Sequence, residues 1–295
     1  MKNEMYRGGL PAESTAGSHF MSDIRVEERQ EYSEEQIRKY LDRIEYRGDR
    51  KVNLKNLTYL QKLHLTHIPY ENLDPMNGVP ISLQPQGLYE KMILHRRGGF
   101  CFELQGLFCC LLRSLGYHVA QFAGRFMDER GVIQMRRHRI LVVTLEGKRY
   151  VCDVGVRSES SRIPLELTDG LIQEDGISRY CFQKDMFYGS VLMQKERGKE
   201  WKPLLGFTEE IQTDDDFVMP SFYCENHPES TFNKYMKVSI FTGKNDLTIV
   251  GNTYKVYESA RVAESRLISS REEAVRILKE KFNIEVPSNY LRLLS

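Results

Sequence analysis

The sequence is short of most features that would classify it at once. Its 42 lysines and arginines are nearly matched by 41 aspartates and glutamates, leaving a net charge of +1. Without a charge excess there is no electrostatic footprint for a polyanion, so neither nucleic acid nor an anionic membrane is an expected partner. Long apolar runs are missing too: the longest, such as LFCCLL at 107–112, are a handful of residues. A bilayer-spanning helix needs roughly 20. Six cysteines in 295 residues are too few for a disulfide scaffold. No C-x-x-C pair or Cys/His ligand spacing suggests zinc, so no metal is expected. The first twenty residues contain no basic-then-apolar leader, which makes a reducing cytoplasm with free thiols the default. Internal repeats and low-complexity tracts are absent.

What is present is an ordinary globular composition, 41% hydrophobic and 28% charged, with length enough for two or three subdomains. Residues 1–20, rich in Gly, Ser and Ala and without periodicity, read as a disordered arm or vector-derived leader, with Met21 the expected start. Three zones follow. Residues 21–116 are helical. Ser33 with Gln36 makes a capping box, and Ile37, Tyr40, Leu41 and Ile44 share a face. Asn53 opens a second helix with Leu54, Leu57 and Leu60 as its stripe, and a short third one is predicted from Leu88 to His95. A fourth runs from Cys101 to Leu115, apolar on most sides, with Gly116 as its C-terminal cap. Residues 117–222 are strand-rich, with hairpins expected around Glu146-Gly147-Lys148 and Arg197-Gly198-Lys199. Residues 223–295 mix strands with a final amphipathic helix capped by Ser270 and Glu273. Helices, then strands, then a mixed tail predict an α+β protein.

Cys101 stands apart from the other cysteines because it follows Gly98-Gly99 and opens a helix. Core packing accounts for Cys109 and Cys110 within their apolar run. At a helix N-terminus, N–H groups without intrahelical acceptors face the thiol, and a pKa below the ordinary value of about 8.5 is predicted. A thiolate nucleophile needs a proton partner, which in turn needs an orienting group. Of seven histidines, His64 and His67 at a helix end suggest surface roles, whereas His138 opens the strand HRILVV. Fifteen residues on, Asp153 interrupts the apolar strand YVCDVGV, and a buried carboxylate requires a partner. The hairpin register nominally pairs His138 with position 156, so a bulge or slip is needed to bring Asp153 beside it.

These residues lie in segments that resemble the arylamine N-acetyltransferase family. RRGGFCFE (96–103) is similar to its cysteine motif and IPYENLD (68–74) to a second. RHRILVV and VCDVG resemble its histidine and aspartate segments at the family spacings of 37 and 15 residues, and NHPESTF (226–232) resembles a donor-cleft segment. The resemblance covers essentially the whole chain from Met21. It implies a helical bundle, a central β-barrel and a C-terminal α/β lid, with a papain-like Cys-His-Asp arrangement of Cys101, His138 and Asp153. It implies no tightly bound cofactor but acetyl-CoA as co-substrate, and ping-pong transfer through an acetyl-cysteine to an arylamine, arylhydrazine or arylhydroxylamine. By the same resemblance Tyr70, Phe100, Phe102 and Val156 form the amine wall, with plain core packing the alternative for the three aromatic residues, and Gln134, Arg137, Gly155, Arg157 and Tyr223 contact CoA. Glu71 and Arg97 are expected to brace the cysteine loop as a buried ion pair. The sequence departs from the family at Gly155-Val156-Arg157-Ser158, where a glycine-rich aromatic loop is common, and at Glu229, where a small hydroxyl residue is common. Two alternatives stand beside this reading: a papain-like or transglutaminase-like acyl-transfer enzyme, and a thiol-bearing binding protein without turnover. Oligomeric state is not legible.

Overall fold

Ser33 opens the first helix as its motif dictates: its hydroxyl accepts the Gln36 N–H at 3.3 Å, and the Gln36 side chain accepts the Ser33 N–H at 2.9 Å. The computed structural model describes residues 32–127, 132–156, 161–258 and 261–291; the arm expected at 1–20 and Arg157 lie outside them. Helix α1 (Glu34–Arg43) buries Ile37, Tyr40 and Leu41. Helix α2 (Leu54–His67), capped by Asn53, buries Leu57 and Leu60. Leu54 does not join that stripe; in the first turn it is 39% exposed. His64 reverses the surface expectation. It is fully buried, with Nδ1 2.7 Å from the Tyr40 hydroxyl. After strand β1 (Tyr70–Glu71) and the short helix α3 (Leu73–Met76), helix α4 (Pro85–Tyr89) runs into one π-helical turn over Glu90–Leu94. The predicted third helix is therefore the irregular end of a longer one. Helix α5 (Cys101–Ser114) ends at Gly116, whose φ of +89° suits glycine. Twelve of its fourteen residues are buried, so α5 is the axis of the helical core.

Strands β2 (His118–Phe126), β3 (His138–Leu145), β4 (Lys148–Cys152), β5 (Leu165–Glu166), β6 (Gln173–Glu174), β7 (Ser178–Asp185), β8 (Gly189–Glu196) and β9 (Lys202–Ile211) form one antiparallel sheet. Their order is β5-β4-β3-β2-β9-β8-β7-β6. Its two edges meet through the Gln173 side chain, which accepts the Glu166 N–H at 2.7 Å and donates to the Glu166 carbonyl at 3.0 Å. The result is a nearly closed barrel around Phe122, Ile140, Val142, Phe182 and Leu205. Helix α6 (Val218–Asn226) leads to a second sheet of β10 (Lys237–Phe241), β11 (Asn245–Val250), β12 (Thr253–Glu258) and β13 (Arg261–Leu267). Strand β1, from the helical part, adds to this sheet beside β10, with Tyr70 opposite Ser239. Helix α7 (Arg271–Phe282), capped by Ser270, buries Ala274, Ile277, Leu278 and Phe282 in this sheet's core. The fold is α+β.

The β3–β4 hairpin decides the site. Glu146 and Gly147 have φ of 50° and 78°, the paired left-handed conformation of a tight two-residue turn. Leu145 pairs with Lys148 and Leu141 with Cys152, one residue shorter than the nominal register. Continuing that ladder sets Asp153 against Ile140, two residues from His138 and on its face. The two side chains meet as a diagonal pair, and the bulge that the sequence reading required is not needed.

Candidate active site

Gly98 and Gly99 are held against the chain at Pro69–Tyr70. A Cβ on Gly98 would lie 2.0 Å from the Pro69 carbonyl oxygen, and the Glu71 N–H donates to the Gly99 carbonyl at 2.9 Å. Glycine at 98 thus permits a backbone contact. From this anchored loop Phe100 enters α5, with its N–H donated to Glu103 Oε2 at 3.0 Å. Cys101 follows as the first helical residue and is 2% exposed.

His138 is fully buried at the start of β3, and its Nε2 lies 2.7 Å from Asp153 Oδ2. Asp153 Oδ1 accepts the Gly155 N–H at 2.8 Å and the Gln105 amide at 3.0 Å. Gln105 sits one helical turn beyond Cys101; its amide also donates to the Arg139 carbonyl at 3.0 Å, and its oxygen accepts the Val154 N–H at 3.3 Å. One side chain of α5 therefore ties both strands of the hairpin to the helix that carries the cysteine. Gly155 is packed equally close: a Cβ there would lie 3.0 Å from Cys101 Cα and 2.9 Å from Gln105 Cγ. The Cys101 thiol donates to the Arg137 carbonyl, the residue before His138, at 3.7 Å. His138 Nδ1 is buried and makes no hydrogen bond.

The thiol does not follow the helix-end expectation. Burial pushes the Cys101 pKa well above its ordinary value, with Cys224 and Asp153 adding to it; the Phe102 N–H and Arg137 oppose. Partial positive charge at a helix end is worth about 1 kcal/mol, less than the cost of burying an unpaired thiolate. Ionisation of Cys101 therefore depends on a neutral proton acceptor beside it that becomes a cation when it takes the proton.

The expected Glu71–Arg97 pair is present and belongs to a larger network. Arg97 Nη2 lies 2.8 Å from both Glu71 Oε1 and Asp74 Oδ1. Lys91 bridges Asp74 Oδ2 at 2.6 Å and Glu103 Oε1 at 2.7 Å, and the Tyr290 hydroxyl donates to Asp74. Burial raises Asp74 but Lys91 and Arg97 outweigh it, holding its pKa down to about 2. Three carboxylates face two cations, and burial pushes Glu103 up to about 7, with Lys91 opposing. The network clamps the cysteine loop to β1, α3 and the C-terminal Tyr290.

A cavity of about 370 Å³ opens onto Cys101 and Asp153. Of the amine-wall residues implied by the resemblance, Tyr70 and Val156 line it. Phe100 and Phe102 do not. Both are fully buried, Phe102 edge-on to Phe100 at 5.6 Å and tilted against Phe217 at 6.0 Å. They belong to the helical core, Phe102 resting on Phe217 and Phe100 tilted against Phe232 at 5.7 Å. Among the CoA contacts implied, Arg137 and Gly155 line the cavity. Gln134 instead accepts an Arg137 guanidinium N–H at 3.0 Å, and Tyr223 stacks on His227 at 4.3 Å. Glu229 is exposed. Thr231 and Phe232, from the segment that resembles a donor cleft, line the cavity; the sequence reading missed Phe126 and Lys237, which also line it, and Gln105. Phe126 also tilts against the His138 ring at 4.9 Å. Only Gln105 had a local signal, as a polar residue in an apolar helix four positions after Cys101.

Residues 53–291 match the model of a family described as N-acetyltransferase. An arylamine N-acetyltransferase from Mycobacterium tuberculosis is 34% identical over 253 residues, spanning 84% of this chain and 88% of that protein. The solved structure of the M. tuberculosis arylamine N-acetyltransferase has a TM-score of 0.79 at 33% identity, covering 84% of this chain and 93% of that one. The Mycobacterium marinum arylamine N-acetyltransferase in complex with CoA has a TM-score of 0.80 at 29% identity, over 87% of this chain and 95% of that one. With sequence match and fold in agreement over most of its length, the chain belongs to the arylamine N-acetyltransferase family.

Proposed function

We propose that this protein moves an acetyl group from acetyl-CoA to an aromatic amine, hydrazine or hydroxylamine through an acetyl-Cys101 intermediate. The observation that carries the mechanism is His138: Nε2 is committed to Asp153, and Nδ1 is buried without a partner, on the residue following the carbonyl that the thiol touches. The Cys101 proton passes to Nδ1, and Asp153 stabilises the resulting imidazolium and fixes its ring orientation. This ion pair, not the helix end alone, supplies the thiolate that burial disfavours. The thiolate attacks the thioester carbonyl, and N–H groups in the first turn of α5 face the developing oxyanion. The carbonyl re-forms, the carbon–sulfur bond to CoA breaks, and the CoA thiolate leaves with the proton from Nδ1. In the second half the amine attacks acetyl-Cys101, Nδ1 takes its proton, and that proton returns to the departing cysteine sulfur.

The CoA complex of the M. marinum relative supports acetyl-CoA as donor. A peptide or glutamine-amide donor has no comparable support. The six cysteines are free and buried, in keeping with a cytoplasmic setting, and no helix among the described residues is long and apolar enough to cross a membrane.

Intact-mass spectrometry after mixing with acetyl-CoA, without an amine, tests the reading. A gain of about 42 Da, absent in Cys101→Ala, is expected of a covalent acetyl-enzyme. A folded wild-type protein that gains nothing refutes it.

A further inference from the structure

We propose that Lys237 is a specificity-determining residue of the acceptor site, favouring aromatic amines that carry a carboxylate on the ring. The inference rests on the acetyl-transfer reading and names the acceptor class more narrowly.

The cavity wall is mostly apolar, and Asp153 is the one carboxylate among the described lining residues. Asp153 is engaged by His138, Gln105 and Gly155. Lys237, at the start of β10, brings an ammonium into this setting. Its Nζ donates to Thr231 Oγ1 at 2.5 Å and lies 4.7 Å from the centre of the Phe232 ring; both residues line the same cavity. The backbone beneath is fixed by Asn72, which is fully buried. The Lys237 N–H donates to Asn72 Oδ1 at 2.6 Å, and Asn72 Nδ2 donates to the carbonyls of Phe232 at 2.7 Å and Tyr235 at 2.8 Å. Two contacts on the side chain and a fixed backbone beneath it make a positioned charge rather than a solvated one.

Its place relative to the nucleophile follows from the sheet. Tyr70 pairs with Ser239, and Lys237, two residues from Ser239, shares that face. Tyr70 also bridges Gly99, two residues before Cys101. Cys101 and Lys237 line the same cavity. A planar ring whose amine meets acetyl-Cys101 can run along the wall of Tyr70 and Phe232. A carboxylate on its far side then meets the ammonium, a charge-assisted contact that its neutral amide cannot reproduce.

Anionic groups could reach Lys237 from two sources, the acceptor carboxylate or the donor's phosphates, and ping-pong kinetics separate them. The experiment measures kcat/KM for 4-aminobenzoate, for 4-aminobenzamide and for acetyl-CoA in the wild type, Lys237→Met and Lys237→Arg. The expected result is that Lys237→Met lowers the acid-to-amide ratio about tenfold, and that Lys237→Arg restores most of it. An unchanged ratio in Lys237→Met overturns the proposal. So does a loss confined to kcat/KM for acetyl-CoA, which would give the charge to the donor's phosphates. Failure of the wild type to form acetyl-enzyme would instead refute the acetyl-transfer reading itself.

Discussion

Replacing Gln105 by methionine keeps the length and bulk of the side chain and removes its hydrogen bonds. Asp153 Oδ1 loses one of two donors and keeps the Gly155 N–H; the Arg139 carbonyl and the Val154 N–H lose a buried partner each. A neutral buried group left unsatisfied costs about 1–3 kcal/mol, and a bond to a charged group is worth about as much. Three such losses, partly relieved by relaxation, predict a fall in stability of about 3–5 kcal/mol, readable by urea denaturation. The chemical effect is separate. Without Gln105 the carboxylate that orients His138 has one lateral anchor, and a displacement near 1 Å can cost roughly a hundredfold in rate. Rapid-quench acetylation with intact-mass detection provides the control. The burst amplitude counts sites able to react, and the rate constant reports how fast each reacts. A purely structural role lowers the amplitude alone; a positioning role lowers the rate constant of the surviving sites. A variant that acetylates each site within twofold of the wild-type rate would refute the assignment of Gln105 as a positioning residue for the Asp153–His138 pair.

Two further outcomes follow from the same geometry. Gly155→Ala places a Cβ about 3 Å from the Cys101 backbone, so acetyl-enzyme formation is expected to fall at least roughly tenfold while circular dichroism stays native; wild-type kinetics would contradict the close approach. His64, whose pKa is pushed down to about 3 by burial, with Arg43 and His67 adding, is neutral in the folded state and titrates near 6.5 when unfolded. Its contribution is therefore present above pH 6.5 and lost as pH falls toward 3, about 2 kcal/mol of it between pH 7 and pH 5. His64→Gln should flatten that part of the pH–stability curve, and parallel curves for variant and wild type would show that His64 is not its source.

The asymmetry between what was legible and what was not has a physical origin. Helix starts and tight turns are local, so Ser33, Asn53 and Ser270 mark their helices and Glu146-Gly147 marks its hairpin. Register is nearly local, and the reading missed it by one residue because the turn closes at Leu145–Lys148. That single residue decides whether Asp153 falls on the face of His138 or on the other, which is why the triad partners could be named before their geometry could be built. Phe100 and Phe102 illustrate a different limit: their nearness to Cys101 in sequence says nothing about which way a side chain leaves the first turn of α5. The thiol pKa failed for a third reason, since the helix-end term can be read from sequence whereas desolvation depends on everything packed around the sulfur.

Lys237 lies beyond all local signals, because its place in the site depends on a pairing between distant parts of the chain. Strand β1 is two residues long, follows α2, and finds its hydrogen-bond partners in β10, near the start of the C-terminal sheet. The same short stretch holds the cysteine loop through Gly99, and its Asn72 holds the segment that carries Lys237. Residues 69–72 are thus common to the nucleophile and to the wall facing it. A structural shift in that stretch moves both at once, so Asn72→Ala should change amine discrimination as well as acetylation rate. Lys237→Met, which leaves the Asn72 clamp on the backbone in place, should act on discrimination more than on acetylation. Comparing the two variants in the two half-reactions separates the charge from the frame that presents it: if Asn72→Ala leaves acetylation at the wild-type rate, the loop and the wall are not mechanically joined through β1.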